Sequence, residues 1–304
     1  MTGAPPRFDR TFDPRHGEAV RLSDLVTRVV AKNPGPFTFH GTNTFLVGTR
    51  ELAVIDPGPN DPAHVEAILR AIDGRPVTAI LATHTHRDHS PAAGPLAAAT
   101  GAKVYGEGPH RPARPLDLGE INPLDASGDR DFHPDVALAD GDVVAGEGWT
   151  LEAITTPGHT PNHLCFALHQ EATIFTGDHV MAWSTSIVAP PDGLMADYMA
   201  SLDRLIARPE RLLLPAHGNG IAEPTEFLEA LVRHRKGREA AVLDRLAAGD
   251  ETIPDMVRVV YAEVDRSLHG AAALSMLAHV EDLVGRGIVV TDGRVDLSAR
   301  YRLA

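Results

Sequence analysis

The sequence predicts an α/β protein on three features. Strand-like and helix-like patterns alternate through the first two thirds of its 304 residues, the strand-like runs are short and rich in β-branched residues, and polar loops follow them. Strands are expected at 42–47, 52–55, 77–82, 153–155 and 173–175, from alternation or from continuous apolar runs. Between the second and third, residues 61–73 place Val65, Ile68 and Leu69 at helical spacing and end at the turn Gly74-Arg75-Pro76. The strands arrive too irregularly for a plain doubly wound sheet. Residues 106–148 are polar and rich in Pro and Asp, so an excursion with little regular structure is expected there, covering one side of an active site.

A second pattern begins near Pro224. Residues 225–248 read as one long helix, with Phe227, Leu228, Leu231, Ala240, Val242, Leu243 and Leu246 as its apolar positions, ending before Gly249-Asp250. A short helix over about 253–261 follows, started by Thr252, and 268–285 forms another through Leu274, Leu277, Val280 and Leu283. Ile288-Val289-Val290, a turn at Asp292-Gly293 and a return strand over 295–301 close the pattern. Three helices and a hairpin make a winged-helix-like module, so the chain divides into domains 1–224 and 225–304.

Composition removes several classes of function. A hydrophobic fraction of 43% with 23% charged residues is that of a globular chain able to form its own core. The single cysteine excludes an intrachain disulfide, and Cys165 lies in the apolar run Leu-Cys-Phe-Ala, where an inert core thiol is expected. With 28 Lys plus Arg against 41 Asp plus Glu, the net charge of -13 disfavours long nucleic acid and anionic membrane as partners. From Thr225 onward 11 basic residues face 13 acidic ones, so the tail carries no concentrated basic face and duplex DNA is not an expected partner. No apolar run approaches the roughly 20 residues that cross a bilayer, and the first thirty residues lack a signal-peptide pattern, so a cytoplasmic location is expected.

The informative stretch is Thr-His84-Thr-His86-Arg-Asp88-His89-Ser, directly after the expected strand at 77–82. Three imidazoles and a carboxylate within six residues suit a borderline divalent ion such as zinc. Three more segments extend the set: Thr156-Pro-Gly-His159-Thr-Pro-Asn-His163, Gly177-Asp178-His179 and Leu-Pro215-Ala-His217-Gly218. Each follows an apolar strand-like run and sits beside small or rigid residues. Together they offer up to seven ligands, enough for two metal ions.

These motifs resemble the metallo-β-lactamase superfamily, whose mark is His-x-His-x-Asp-His followed by separate His, Asp and His ligands. Within it the chain is similar to the glyoxalase-II-like hydrolases and to the lactamase-β-like protein 2 group. The closer likeness rests on Asn33-Pro-Gly-Pro36, Gly41-Thr-Asn-Thr-Phe-Leu-Val-Gly48, Ile55-Asp56-Pro-Gly58, Gly177-Asp-His-Val-Met181, Ser201-Leu202 and the winged-helix-like tail. The resemblance implies a four-layer αβ/βα sandwich of two mixed sheets. It implies one metal on His84, His86 and His159, another on Asp88, His89 and His217, and Asp178 bridging them. Asp56 would organise the His-rich loop from behind, the alternative being a turn-capping carboxylate. The catalytic candidates are then Asp88, Asp178, Asp56 and His179, around two divalent ions, zinc first and manganese or iron otherwise, with a bridging hydroxide as nucleophile.

The spacing discriminates further. His89 to His159 is 70 residues, His159 to Asp178 is 19, and Asp178 to His217 is 39, which leaves no room for the cap domain that the superfamily's RNA-processing nucleases insert there. A dinuclear hydrolase of a thioester or other small acyl substrate is the leading expectation. An endoribonuclease on short single-stranded RNA and a mononuclear iron sulfur dioxygenase are the alternatives. Ser184, Thr185 and Tyr198 are tentative substrate contacts near the bridging Asp, and Arg235 and Lys236, in His234-Arg-Lys-Gly-Arg238, are either a solvated helix face or an anion-holding patch. His163 and His179 either hydrogen-bond a ligand or protonate a leaving group, or are packed and satisfied core histidines. A protein-binding or homodimer-forming tail is the competing role for the C-terminal module.

Overall fold

The computed structural model describes residues 5–116, 120, 122 and 125–304. Seven strands form the first sheet in sequence order: β1 (Val20–Arg21), β2 (Val26–Val30), β3 (Asn43–Val47), β4 (Leu52–Ile55), β5 (Val77–Leu81), β6 (Lys103–Gly106) and β7 (Val136–Ala137). The first four pair antiparallel and β4 through β7 pair parallel. The parallel half needs crossovers, which α1 (Pro62–Ile72) and α2 (Ala93–Thr100) supply. Asp61 caps α1 by accepting from the Ala63 amide at 3.0 Å, Pro62 fills its first turn, and Asp73 ends it in the left-handed conformation.

The second sheet runs in the order β13-β12-β11-β10-β9-β8, from β8 (Val143–Gly146), β9 (Trp149–Thr155), β10 (Leu164–Leu168), β11 (Thr173–Gly177), β12 (Leu212–Pro215) and β13 (Ile221–Ala222). Only β11 and β12 pair parallel, and α3 (Met195–Ile206) connects them. Period-two alternation divides each strand between two cores. Leu164, Phe166 and Leu168 of β10 face the first sheet and pack with Phe45, Ile55 and Leu81, whereas Cys165 and Ala167 face α3 and pack with Tyr198 and Leu202. Leu46, Leu52, Val54 and Ile80 cover α1 and α2 through Ile68, Ile72 and Leu96. The result is the four-layer helix, sheet, sheet, helix sandwich.

The tail comprises α4 (Thr225–Ala247), α5 (Ile253–Val260), α6 (His269–Gly285) and a hairpin of β14 (Val289–Thr291) and β15 (Tyr301–Leu303). Leu228 and Leu231 of α4 pack on the second sheet and α3, while Val242 and Leu246 pack with Met256, Met276 and Leu283, so α4 belongs to both cores. The return strand starts six residues later than the expected 295. The Asp296 carboxylate accepts from the Ser298 amide and hydroxyl at 2.8 and 2.7 Å, a turn that takes residues 296–298 out of any ladder. In the 106–148 excursion the regular pieces among the described residues are short, with β7 and β8 the strands; its residues 117–119, 121, 123 and 124 lie outside the described ones. No helix among the described residues is long and apolar enough to cross a membrane.

Burial pushes the Cys165 thiol up to about 12, against the Thr156 hydroxyl 3.2 Å away. A raised thiol pKa keeps the unreactive neutral form at every physiological pH. Folded protein at pH 8 is therefore expected to resist a thiol-specific reagent for hours and to react with one equivalent once unfolded in urea. Rapid labelling of the folded chain would contradict the core placement.

Candidate metal centre

Every candidate ligand stands at the carboxyl end of a strand. His84, His86, Asp88 and His89 follow β5, His159 follows β9, Asp178 follows β11 and His217 follows β12, so both sheets converge on one point. Two glycines permit that convergence. Gly158 has φ +135° and lies against the Tyr198 backbone, where a side chain would collide, and Gly177 has φ +49° with a Cβ position only 2.7 Å from His163 Nε2 and Thr83 Oγ1.

The side chains gather into two adjoining groups, His84, His86, His159 and Asp178 in one and Asp88, His89 and His217 in the other, each with one ligand atom per residue within 4.8 Å of the rest. Asp178 reaches both: its Oδ2 lies 3.7 Å from His159 Nε2 and 3.6 Å from His89 Nε2, while Oδ1 lies 3.2 Å from His217 Nε2. Asp88 Oδ2 lies 3.3 Å from both His89 Nε2 and His217 Nε2, with its side chain 25% exposed to the cleft above.

Hydrogen bonds behind the ligands select their tautomers. The Asp56 carboxylate can only accept, so His89 Nδ1–H donates to it at 3.0 Å, and the Thr83 amide and hydroxyl donate at 2.8 and 2.9 Å. The Thr83 hydroxyl, with its proton committed to Asp56, accepts from His84 Nδ1–H at 3.1 Å. His159 Nδ1–H donates to the Ile187 carbonyl at 2.6 Å and His217 Nδ1–H to the Gly41 carbonyl at 3.1 Å. In four imidazoles the Nδ1 proton is thereby tied back and Nε2 is turned into the site.

The donor set fits a divalent ion. The buried atoms His89 Nε2, His217 Nε2 and Asp178 Oδ1 meet one another, Asp178 Oδ2 and Asp88 Oδ2 at 3.2 to 3.6 Å without the geometry of a hydrogen bond, at a point where protein groups are normally satisfied. Burial, with the neighbouring imidazoles adding to it, holds His84 well below the usual histidine range, and burial above all takes His86 down to about 3, so both imidazoles are neutral, the form a metal ion accepts. In the other group burial opposes the charge of His217, yet Asp178 and Asp88 outweigh it and push the imidazole up to about 10. Asp88 and Asp178 are held well below the carboxylate range by His89 and His217 despite their burial. Two ionised carboxylates thus draw positive charge into the second group, charge that a bound dication also supplies.

The cleft above this cluster has a volume of about 360 Å³ and is lined by His86, Asp88, His159 and Asp178, an apolar wall of Phe37, Ala126, Met181 and Ile187, and Arg87 at the mouth. Ala126 belongs to the 106–148 excursion, which therefore borders the site. The expected substrate contacts are elsewhere. Ser184 and Thr185 do not line the cleft, and the Ser184 hydroxyl turns to the Thr185 carbonyl at 3.3 Å. Tyr198 is fully buried under its own helix, with its ring 4.7 Å from that of His179. Arg235 is not an anion-holding surface group: it is 3% exposed and donates to the Ser186 carbonyl. Lys236, its neighbour, is exposed on α4 away from the cleft. His179 is buried, outside both ligand groups and outside the cleft lining, with its pKa taken down to about 3 by burial, His159 and Arg235. His163 accepts from the Asp178 amide through Nε2 at 3.2 Å and donates through Nδ1 to Thr156 at 2.8 Å, which fixes the backbone of Asp178.

Sequence reasoning missed Thr83, Arg87 and the apolar wall. The first two lie inside the His-rich motif, where adjacency to ligands was the available signal. The wall assembles from three distant segments and had none. Removing the carboxylate with Asp56→Ala is expected to lower metal affinity about 10- to 100-fold, read by competition with a chromophoric chelator, because His89 and Thr83 lose their common acceptor. Unchanged affinity would remove Asp56 from the centre.

Comparison with known proteins places the chain. Residues 37–217 match the model of the metallo-β-lactamase superfamily, and residues 252–297 match the β-lactamase associated winged helix domain. A β-lactamase-like protein 2 homolog from Caenorhabditis elegans is 31% identical over 279 residues, 88% of this chain and 87% of that one. An atrochrysone carboxyl ACP thioesterase from Aspergillus terreus is 33% identical over 249 residues, 79% of this chain and 71% of that one. The crystal structure of a β-lactamase domain protein from Burkholderia ambifaria superposes with a TM-score of 0.77 at 22% identity, over 97% of this chain and 96% of that chain. With its ligand motif, its two-sheet sandwich and its C-terminal module, the chain belongs to the metallo-β-lactamase superfamily.

Proposed function

We propose that the chain is a dinuclear metal-dependent hydrolase of apolar acyl thioesters. The observation that carries this reading is Asp178, whose two oxygens face the two ligand groups at the floor of a cleft with an apolar wall. Five imidazoles and two carboxylates without a thiolate suit zinc, and equally manganese or iron. Bound there, a metal pair supplies an activated water and a Lewis acid for the oxygen that gains charge.

The chain's own residues do the rest. Phe37, Ala126, Met181 and Ile187 bind the acyl chain and exclude water from it. Asp56 and Ile187 hold His89 and His159 in the tautomers that present Nε2. Arg87, exposed at the mouth and held by one bond from Nε to the Gly128 carbonyl at 3.2 Å, keeps donors for an anionic group on the thiol portion of the substrate. Addition of water to the carbonyl carbon and cleavage of the C–S bond give a carboxylic acid and a thiol. The relative from Aspergillus terreus, named a thioesterase, supports this class.

Single-stranded RNA is the less favoured substrate. Arg87 is the one Lys or Arg among the described residues lining the cleft, whereas recognition of successive phosphates uses a positive track. A cytoplasmic location and zinc as the resident ion belong to the same proposal.

On thioesters of increasing straight acyl length, kcat/KM is expected to rise about two- to fourfold per methylene until the wall is covered, since a buried methylene is worth up to about 0.8 kcal/mol. Phe37→Ala should flatten that slope while leaving the shortest substrate little changed. Cleavage of RNA without thioester turnover, or a single iron per chain with oxygen-dependent sulfur oxidation, would overturn the assignment.

A further inference from the structure

Behind the cleft, a buried cation from the tail reaches into the metallo-β-lactamase domain. Arg235 lies halfway along α4, between the stretches matched by the superfamily model and by the winged-helix model, and is 3% exposed. Its guanidinium stacks over the Tyr198 ring at 4.9 Å, and its Nη2 donates to the Ser186 carbonyl. Ser186 is itself 2% exposed and is fixed a second time, its hydroxyl donating to the His179 carbonyl at 2.7 Å. The next residue, Ile187, does two things at once. Its carbonyl accepts from His159 Nδ1–H at 2.6 Å, and its side chain lines the cleft.

A buried guanidinium is costly to desolvate and is retained where its hydrogen bonds matter. Here that bond holds the segment whose carbonyl sets the rotation and tautomer of one ligand. The adjoining His89 and His217 are oriented by different groups, Asp56 and the Gly41 carbonyl.

We propose that Arg235 is a positioning residue by which α4, the helix that joins the two cores, sets the orientation of His159, and so tunes one of the two ligand groups selectively. This inference rests on His159 being a metal ligand. It assigns the tail a role at the site that is neither substrate binding nor attachment alone, and it predicts an asymmetric effect: the group of His84, His86, His159 and Asp178 depends on α4, and the group of Asp88, His89 and His217 does not.

The test is titration of the full-length apoprotein with cobalt(II), followed by visible absorption, for the wild type, Arg235→Met and Arg235→Ala. Methionine keeps most of the buried volume and removes the donor, so it carries the test if the alanine variant fails to fold, as judged by circular dichroism. The expected result is two equivalents bound by the wild type. In the variants one equivalent should be weakened about tenfold with an altered absorption band and the other unchanged, the size that loss of a ligand-orienting partner commonly produces. Ethylguanidinium should restore the lost band in Arg235→Ala. Wild-type affinity and spectrum in folded Arg235→Met would overturn the inference while leaving the metal centre intact, as would equal weakening of both equivalents, which indicates general loosening. A wild type that binds no cobalt would overturn the metal centre and the inference together.

Discussion

Asp56 is buried at the end of β4, where a carboxylate is stable only if its lone pairs are met, and it accepts from the Thr83 amide, the Thr83 hydroxyl and His89 Nδ1–H. From that constraint the rest of the centre follows. The Thr83 hydroxyl, committed to Asp56, orients His84, so one carboxylate governs an imidazole in each ligand group. The loop from 83 to 89 is thus tied to the first sheet by hydrogen bonds that need no ion. Asp56 itself takes φ +49°, a conformation its short polar side chain tolerates.

The sandwich is what makes this possible. Parallel pairing of β4 with β5 and of β11 with β12 aligns carboxyl ends that would alternate in a purely antiparallel sheet, and every candidate ligand but His159, which follows β9, comes after one of those ends. The tail adds a third contribution. Because α4 packs on α3 with its first half and on α5 and α6 with its second, one continuous helix rather than a loop joins the two cores, with Arg235 between them.

Much of this was legible in the residues themselves. The ligand set reads directly because metal chemistry permits few residue types and the strand-to-loop transitions are abrupt. Helices with strong caps, such as that between Asp61 and Asp73, also read well. The α2 helix is masked by Gly94 and Pro95, although a proline in the first turn costs no hydrogen bond. Arg235 was misread for a different reason. Its basic neighbours suggest a solvated face, yet it stands four residues after Leu231 and seven after Leu228, on the buried stripe of α4. Local charge pointed outward, helical periodicity pointed inward, and burial followed periodicity. The apolar wall of the cleft was beyond reach, since Phe37, Ala126, Met181 and Ile187 acquire meaning only when distant loops meet.

The sequential strand order bears on how the protein is made. The first sheet is complete once residue 137 has emerged, and it carries His84, His86, Asp88 and His89, but each ligand group also draws on the second sheet, through His159 and Asp178 in one and His217 in the other. A chain still on the ribosome therefore holds two of the four residues of one group and two of the three of the other until the second sheet has docked. Both groups are complete only in the finished fold, so an ion that needs every residue of either group would meet them there and not on the nascent chain.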